Sequence, residues 1–580
     1  MRQHCRHLLS TLLLSTSCGR INSMSLNSIS RTRNSSISLG STISDDFDRQ
    51  LLPQQQQQQQ QQQPLKVVVV GAGFSGLSTA YHLLRHNGNS NNNNRPGLLE
   101  VRIVEARDRI GGRVHPFSLD DETDDTMVDL GGQWLHEASE TNPIRRLMED
   151  DLHLGFIVPK KQSQETRPRK GRRQRRRQQQ RQQQTKNVIF DQDGTRIATA
   201  VVKKATNIFY KALDQYEYDD PDITPTTSFQ DLLQQQLQLE RLSDRRLERI
   251  DGPALQRTLN YLTHKTEGYE GGRLHEVSAL MADMYQNKGG PDRLPQGTYA
   301  SVLRKLQDQL EQTMGCRIQL KSPVTSIVYD PLAENGSPNN GIILTIETDQ
   351  DGTTTTIHCD YCVCTVPLGV LQQGRIQFDP PLPTHRLGAI QAMGMGLLNK
   401  IVLKFDECFW GDLKQFGMAH DDPTQVKTFY DCSDGIVVTE SDAPSGGILI
   451  HFLAGAAADH VEFVDANGNS NAGLSDEEAV AESLASLRCI FGVENVPQSA
   501  ATKVTRWRQD PYSCGSYSFT KVRSTEDMYS EVASPLGNLL FAGEHTSKTT
   551  HSTVHGAWET GEREAQRLLK LLASSNSRVT

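Results

Sequence analysis

The chain has no stretch of eighteen consecutive apolar residues. Its leucine-rich run, Leu8 to Leu14, falls far short of the roughly 20 apolar residues of a membrane-spanning helix, so a soluble protein is expected. Acidic residues are missing before Asp45, whereas Arg2, Arg6, Arg20, Arg31, Arg33 and many serines fill that stretch. Such a composition reads as an organellar transit peptide, for a mitochondrion or a plastid; the leucine core behind Arg2 and Arg6 leaves a secretory signal as the rival reading. Cysteine is sparse, ten in 580 residues, and calls for no disulfide framework. Cys359, Cys362 and Cys364 form one cluster, but neither Cys316 nor His358 completes a metal-ligand spacing. The cluster reads as small apolar residues on a strand, and no metal is expected.

What is present is uneven. The apolar fraction of 36% is enough for real cores, because the polar residues are concentrated in segments: glutamine from Gln54 to Gln63, asparagine through much of Asn87 to Asn94, and an Arg/Gln tract from Arg167 to Gln184. The net charge of -8 hides that basic tract. It could grip nucleic acid or serve as a nuclear address. No aromatic residue for base stacking interrupts it, however, so a solvated loop inserted in a domain is the favoured reading.

Leu65 to Val70 is a continuous β-branched run, the pattern of a buried parallel strand, and Ser75 to His86 reads as the helix that follows. After the asparagine insert, Leu99 to Glu105 alternates as a second strand and ends in an acid. That acid stands further from the glycines than the usual roughly 20 residues, and the insert supplies the excess. Ala205 to Leu262 has helical periodicity and no phosphate loop, which suits a cap or substrate domain. Short strands dominate Arg317 to Pro367, with further strands at Leu397 to Phe405 and Ile448 to Ala454; helices return at Ser475 to Ile490 and Ala557 to Leu572.

The turn VVVVGAGFSG gives each glycine a task. Gly71 permits the tight turn, Gly73 lets backbone approach a pyrophosphate, and Gly76 lets helix pack on strand, while free N–H groups at the helix start face negative charge. Glu105 would accept hydrogen bonds from an adenosine ribose. In EARDRIGGRV, Gly111 and Gly112 allow close approach, and Arg113 can meet phosphate with two parallel bonds. A second glycine–acid block, LLFAGEHTSKTTHSTVHGAWETG from Leu539 to Gly561, leads straight into a helix and suggests a chain that returns to the same cofactor.

VVVVGAGFSG, VEARDRIGGRV, DLGGQWLH, CTVPLGVL, NKIVLKFD, RWRQDPYSCGSYSF and LLFAGEHTSKTTHSTVHGAWETGEREA occur in the order found in the flavin-containing amine oxidases. From Leu65 to Leu572, the inserts apart, the chain resembles that family, which includes monoamine oxidases, polyamine oxidases and lysine-specific histone demethylases. The resemblance implies an α/β fold: a Rossmann-like FAD-binding domain from 65–155, 275–385 and 500–573, and a mixed-sheet and helical substrate domain from 156–274 and 386–499. The basic insert at 162–186 falls within the second, and 1–64 is a targeting segment.

Carried over by position, the resemblance assigns the adenosine and pyrophosphate half of FAD to Gly71, Gly73, Gly76, Glu105, Arg107, Arg113 and Val324. Gly131, Gly132, Gln133 and Trp134 would line the isoalloxazine; Glu544 would reach the ribityl chain and Val554 would offer backbone contact to the pyrimidine edge, with Trp507, Gly543 and Thr553 also cofactor-binding. Lys400 matches the lysine that holds a water near the reactive flavin nitrogen. Tyr517 matches one wall of an aromatic cage, with Trp507 packed nearby, and His136 matches the residue that contacts substrate amines in polyamine oxidases. Ser516 stands where monoamine oxidases carry the cysteine that binds flavin covalently, so FAD is expected to be noncovalent. Thr550 stands six places after Glu544, where an aromatic residue usually forms the second cage wall, and His551 follows it.

These matches imply a polyamine oxidase: hydride transfer from the carbon beside an amine, imine hydrolysis to an aldehyde and a shorter amine, and reoxidation by dioxygen with release of hydrogen peroxide. Spermine, spermidine or their acetylated forms are the expected substrates. Two other readings stand beside it, a demethylase-like enzyme acting on chromatin and a non-catalytic FAD-binding protein.

Overall fold

The structure is a computed structural model that describes residues 64–88, 99–120, 126–157, 188–214, 223–243, 252–280, 284–332, 341–347, 353–433, 446–462 and 473–577. The expected targeting segment, the glutamine run, most of the asparagine insert and the basic tract lie outside the described residues.

A five-stranded parallel sheet carries the glycine turn. Its order is Leu539–Phe541, Tyr361–Cys364, Leu65–Val70, Leu99–Val104, Arg317–Gln319, so strands from distant parts of the sequence lie side by side. Val67 to Val70 lack a polar–apolar alternation because both faces are covered. Val67 and Val69 face a core shared with Leu77, Tyr81 and Trp558, whereas Val68 and Val70 face one shared with Ile342, Leu344, Cys362 and Cys364. The buried cysteines behave as apolar residues, and burial pushes the thiols of Cys359 and Cys364 up to about 12. A four-stranded sheet, Gln377–Asp379, Val324–Val328, Ile342–Glu347, Thr354–Cys359, covers the second face.

The other large layer is a six-stranded sheet in the order Ala501–Val504, Leu398–Phe405, Gly447–Ala454, Lys427–Asp431, Gln415–Met418, Val188–Phe190. All its pairings are antiparallel except the last. Helices Thr199–Asp214, Phe229–Ser243 and Gly252–Glu270 pack through a separate apolar core that contains Phe209, Phe229 and Tyr261. The helical reading of 205–262 thus resolves into parts of three helices.

Helix Val554–Ser577 closes the structure by packing on Phe74–Gly88. The contact is close because the glycine lacks a side chain: a Cβ on Gly561 would lie 2.1 Å from the Ser75 carbonyl oxygen. Ser78 donates to the Trp558 carbonyl at 2.7 Å, and Thr79 donates to the Gly561 carbonyl at 3.2 Å. Overpacking of this kind costs on the order of 1–3 kcal/mol. Gly561→Val should therefore lower the thermal midpoint by several degrees. Gly388→Ala, in helix Thr384–Ala392 where an added Cβ meets nothing within 4 Å, should raise stability by up to about 1 kcal/mol. Thermal unfolding of the two variants beside the parent checks both signs.

Candidate active site

The register of the parallel strands determines what meets at their carboxyl ends. Leu65 to Val70 pairs in step with Leu99 to Val104, which brings Gly71 beside Glu105 as Gly71 N–H donates to the Val104 carbonyl at 2.8 Å. A cleft with about 1510 Å³ of atom-free space, part of it open solvent, runs over this edge. Gly71, Gly73, Glu105, Arg107, Arg113 and Val324 line it. This is the crevice outside the strand ends where parallel α/β sheets bind ligands.

The three glycines of the turn have separable roles. Gly71 has φ of +105°, a region that strains a side-chain-bearing residue. A Cβ on Gly76 would sit 1.9 Å from the Gly71 carbonyl oxygen, so Gly76 serves packing and does not line the cleft. A Cβ on Gly73 would meet nothing within 4 Å and would instead enter the cleft. Glu105 Oε2 accepts from Ala72 N–H at 2.7 Å and Oε1 from Arg107 N–H at 2.9 Å, which aims the carboxylate across the turn. Open space over Gly73 beside a helix start, with an oriented carboxylate at the next strand end, fits the pyrophosphate and ribose of a dinucleotide.

The C-terminal block completes the cleft from the other side. Gly543, Glu544, Ser552, Thr553 and Val554 line it. Glu544 is 4% exposed, and its carboxylate is bonded by three separate segments of the chain. Oε1 accepts from Arg113 at 2.9 Å, and Oε2 accepts from the Ser518 hydroxyl at 2.6 Å and Ser552 N–H at 2.7 Å. Burial alone would push its pKa up, but Arg113, His545 and the Ser518 bond hold the carboxyl at about 2. Thr553 caps the next helix by accepting from Gly556 N–H at 2.9 Å.

Segment 129–134 meets strand Leu398–Phe405 at Lys400. The Lys400 ammonium donates to the Asp129 carbonyl at 2.7 Å, the Gly131 carbonyl at 2.8 Å and Gln133 Oε1 at 3.0 Å. All three of its hydrogens are therefore taken by protein acceptors, and a water could be held only by exchange with one of them. Burial lowers the Lys400 pKa and raises that of Asp129, while each charge partly restores the other. Gln133 Nε2 in turn donates to Cys432 Sγ at 3.3 Å. The Trp134 ring packs on Tyr430 and Phe452 at centroid distances of 5.9 and 5.8 Å. Gly132 lines the cleft, whereas Gln133, Trp134 and Lys400 are not among its lining residues.

Tyr517 lines the cleft and donates to the Gly268 carbonyl at the end of helix Gly252–Glu270. Trp507 does not: it is 6% exposed in the core of the antiparallel sheet, with its ring under the Gly131 backbone. Its ring supports the Gly131 backbone. His136 also lies off the cleft lining, with its side chain 39% exposed, Nδ1 3.3 Å from Asp292 and the Tyr269 ring 6.4 Å away. Thr550 is buried and donates to Glu559 at 2.8 Å, whereas the His551 ring stacks on Tyr529 at 5.7 Å. Sequence reasoning passed over Ser322, Thr365, Arg375 and Tyr512, which also line the cleft. Thr365 and Tyr512 lie inside the motifs CTVPLGVL and RWRQDPYSCGSYSF.

The model of the flavin containing amine oxidoreductase family matches residues 74–569. The chain is 28% identical over 504 residues to polyamine oxidase 2 of Arabidopsis thaliana, a match that covers 86% of this chain and 87% of that protein. It is 27% identical over 537 residues to the peroxisomal N(1)-acetyl-spermine/spermidine oxidase of Homo sapiens, covering 88% and 95%. Lysine-specific histone demethylase 2 of Homo sapiens is 27% identical over 556 residues, covering 93% of this chain and 56% of that protein. Among solved structures, a putrescine oxidase with putrescine bound superposes with a TM-score of 0.60 at 21% identity, over 87% of this chain and 99% of that one, and shares the two-domain fold. With a family match along nearly the whole described chain, and a cleft whose glycines leave room for a dinucleotide, the chain belongs to the flavin-containing amine oxidoreductases and is a flavin-dependent amine oxidase.

Proposed function

We propose that this amine oxidase acts on polyamines, with FAD held noncovalently in the cleft between Gly73 and Val554. Tyr517 carries the reading: it walls the cleft and, through the Gly268 carbonyl, joins the helix end that presents Tyr269 to the exposed His136–Asp292 pair. A long amine bearing more than one nitrogen suits an aromatic wall inside and a histidine–carboxylate pair outside. The polyamine oxidases matched over most of their length support the same class. Ser516 supports noncovalent FAD, since its hydroxyl is bonded to Leu398 N–H at 2.9 Å and to the Leu398 carbonyl at 3.0 Å and offers no thiol.

When bound, FAD supplies the two-electron acceptor for hydride from the carbon beside the amine. The protein's part is positional. The aromatic wall desolvates the substrate, which lowers the amine's pKa toward the neutral form that hydride loss requires. Lys400 fixes segment 129–133 through three hydrogen bonds and would hold a water beside the cofactor only by exchanging one of them. Glu544 and Arg113 anchor the cleft as a paired charge, so the cofactor meets a set geometry.

An amine panel tests the substrate class. Hydrogen peroxide release should be fastest, by kcat/KM, on spermine, spermidine or an acetylated form, ahead of benzylamine and of a dimethyl-lysine histone peptide. Fastest turnover of the peptide would move the chain to the demethylase reading, and flavin that stays oxidised with every amine under anaerobic conditions would mark a non-catalytic protein. Lys400→Met should keep its FAD and slow flavin reduction or reoxidation by at least about ten-fold; unchanged rates in both half-reactions would remove its role.

Glu544 adds a pH dependence. Its folded pKa of about 2 lies below the ordinary 4.5, so its contribution to stability is complete above pH 4.5 and is lost as pH falls toward 2. Glu544→Gln should lower stability at pH 7 by roughly 3 kcal/mol, because Arg113 loses its only carboxylate among the described residues and keeps just the Ser516 carbonyl. Its disadvantage should shrink between pH 4.5 and 2, read as thermal midpoint against pH for both proteins.

A further inference from the structure

Arg107 lines the cleft, yet its guanidinium is turned onto protein. Nη2 donates to Asp510 Oδ1 at 2.7 Å and to Ser513 Oγ at 2.8 Å, and the guanidinium lies over the Tyr512 ring at 5.4 Å. Its side chain is only 11% exposed. Asp510 does not line the cleft, but the residues after it, Pro511, Tyr512 and Ser513, do. Asp510 also organises that segment: Oδ1 accepts from Tyr512 N–H at 2.9 Å, and its carbonyl accepts from Ser513 and Cys514 N–H at 3.1 and 2.8 Å. The far end of the segment is held by a second arginine of the same loop, since Arg113 donates to the Ser516 carbonyl at 3.0 Å. One loop, 105–113, therefore grips both ends of segment 510–516, and the next residue is the cleft-lining Tyr517.

We propose that Arg107 is a positioning residue, which with Asp510, Ser513 and Tyr512 forms a latch that closes segment 510–516 over the dinucleotide cleft and slows release of FAD. Two demands compete for this guanidinium. A direct phosphate contact would need to draw it off Asp510, a partner already met with a short charge-assisted bond, and off Ser513, which is 0% exposed and would lose its partner away from water. The arrangement favours the latch. Because Tyr512 and Ser513 form part of the cleft wall, FAD leaves most readily when this segment lifts, and the Arg107–Asp510 ion pair opposes that motion.

A double-mutant cycle on FAD binding separates latch from phosphate ligand. FAD affinity and release rate are followed by flavin fluorescence for the parent, Arg107→Ala, Asp510→Asn and the double variant. Asp510→Asn keeps the shape and the acceptor for Tyr512 N–H but removes the charge. Both single variants should release FAD about ten-fold faster, a coupling of ordinary size, and the double variant should be no worse than the worse single one. Asp510→Asn that holds FAD like the parent, or effects that multiply in the double variant, would overturn the proposal. Should the apo form of Asp510→Asn unfold well below the parent, Ser513→Ala decides: it removes one bond from Arg107, and release faster by about two-fold or more is expected, whereas unchanged release overturns the latch.

Discussion

A single carboxylate nearly out of reach of water holds the two ends of this protein together. Glu544, from the last tenth of the chain, is bonded to Arg113 from its first fifth, to Ser518 in the short strand Ser518–Phe519 and to Ser552 eight residues further on. A charge buried this deeply is tolerated only when each lone pair finds a donor in good geometry. Meeting that condition requires the 105–113 loop, the 516–519 segment and the 543–554 block to converge, and their convergence is what defines the cleft. Helix Val554–Ser577 follows from the same block and fits against the first helix only because Gly561 has no side chain.

The sequence was most readable where local chemistry and global fold demand the same residue. The valine run, the three glycines and Glu105 each follow from a parallel strand entering a helix beside a second strand end, and the register bears this out to the residue. Strands Gln415–Met418 and Lys427–Asp431 were missed because QFGM and KTFYD are too short to show a period; the six-stranded sheet, not their own sequence, makes them strands. Helices Thr298–Asp308 and Thr384–Ala392 escaped for a related reason. The first begins on threonine and tyrosine, poor helix formers, and the second contains Gly388.

Within the site, the glycine turn and the GEHT block were legible, but the division of labour behind them was not. Nothing in its motif shows that Trp507 packs in the antiparallel core, against Gly131. Lys400 appears in a motif as one charged residue on a strand. Only three dimensions reveal that its three hydrogens clamp segment 129–133, and that Cys432 orients the glutamine that takes one of them. No spacing rule in a sequence encodes such a contact between residues more than two hundred and sixty positions apart.

The strand order of the parallel sheet also bears on how the protein matures. Its third and fifth neighbours in sequence, Arg317–Gln319 and Leu539–Phe541, form opposite edges, and the middle strand is the first to be made. On a growing chain the glycine turn therefore exists long before its last neighbour strand has been translated, with apolar surface waiting for partners hundreds of residues away. The lining of the cleft is complete only once residues 543–557 have been made, because Gly543, Glu544, Thr553 and Val554 form one of its sides.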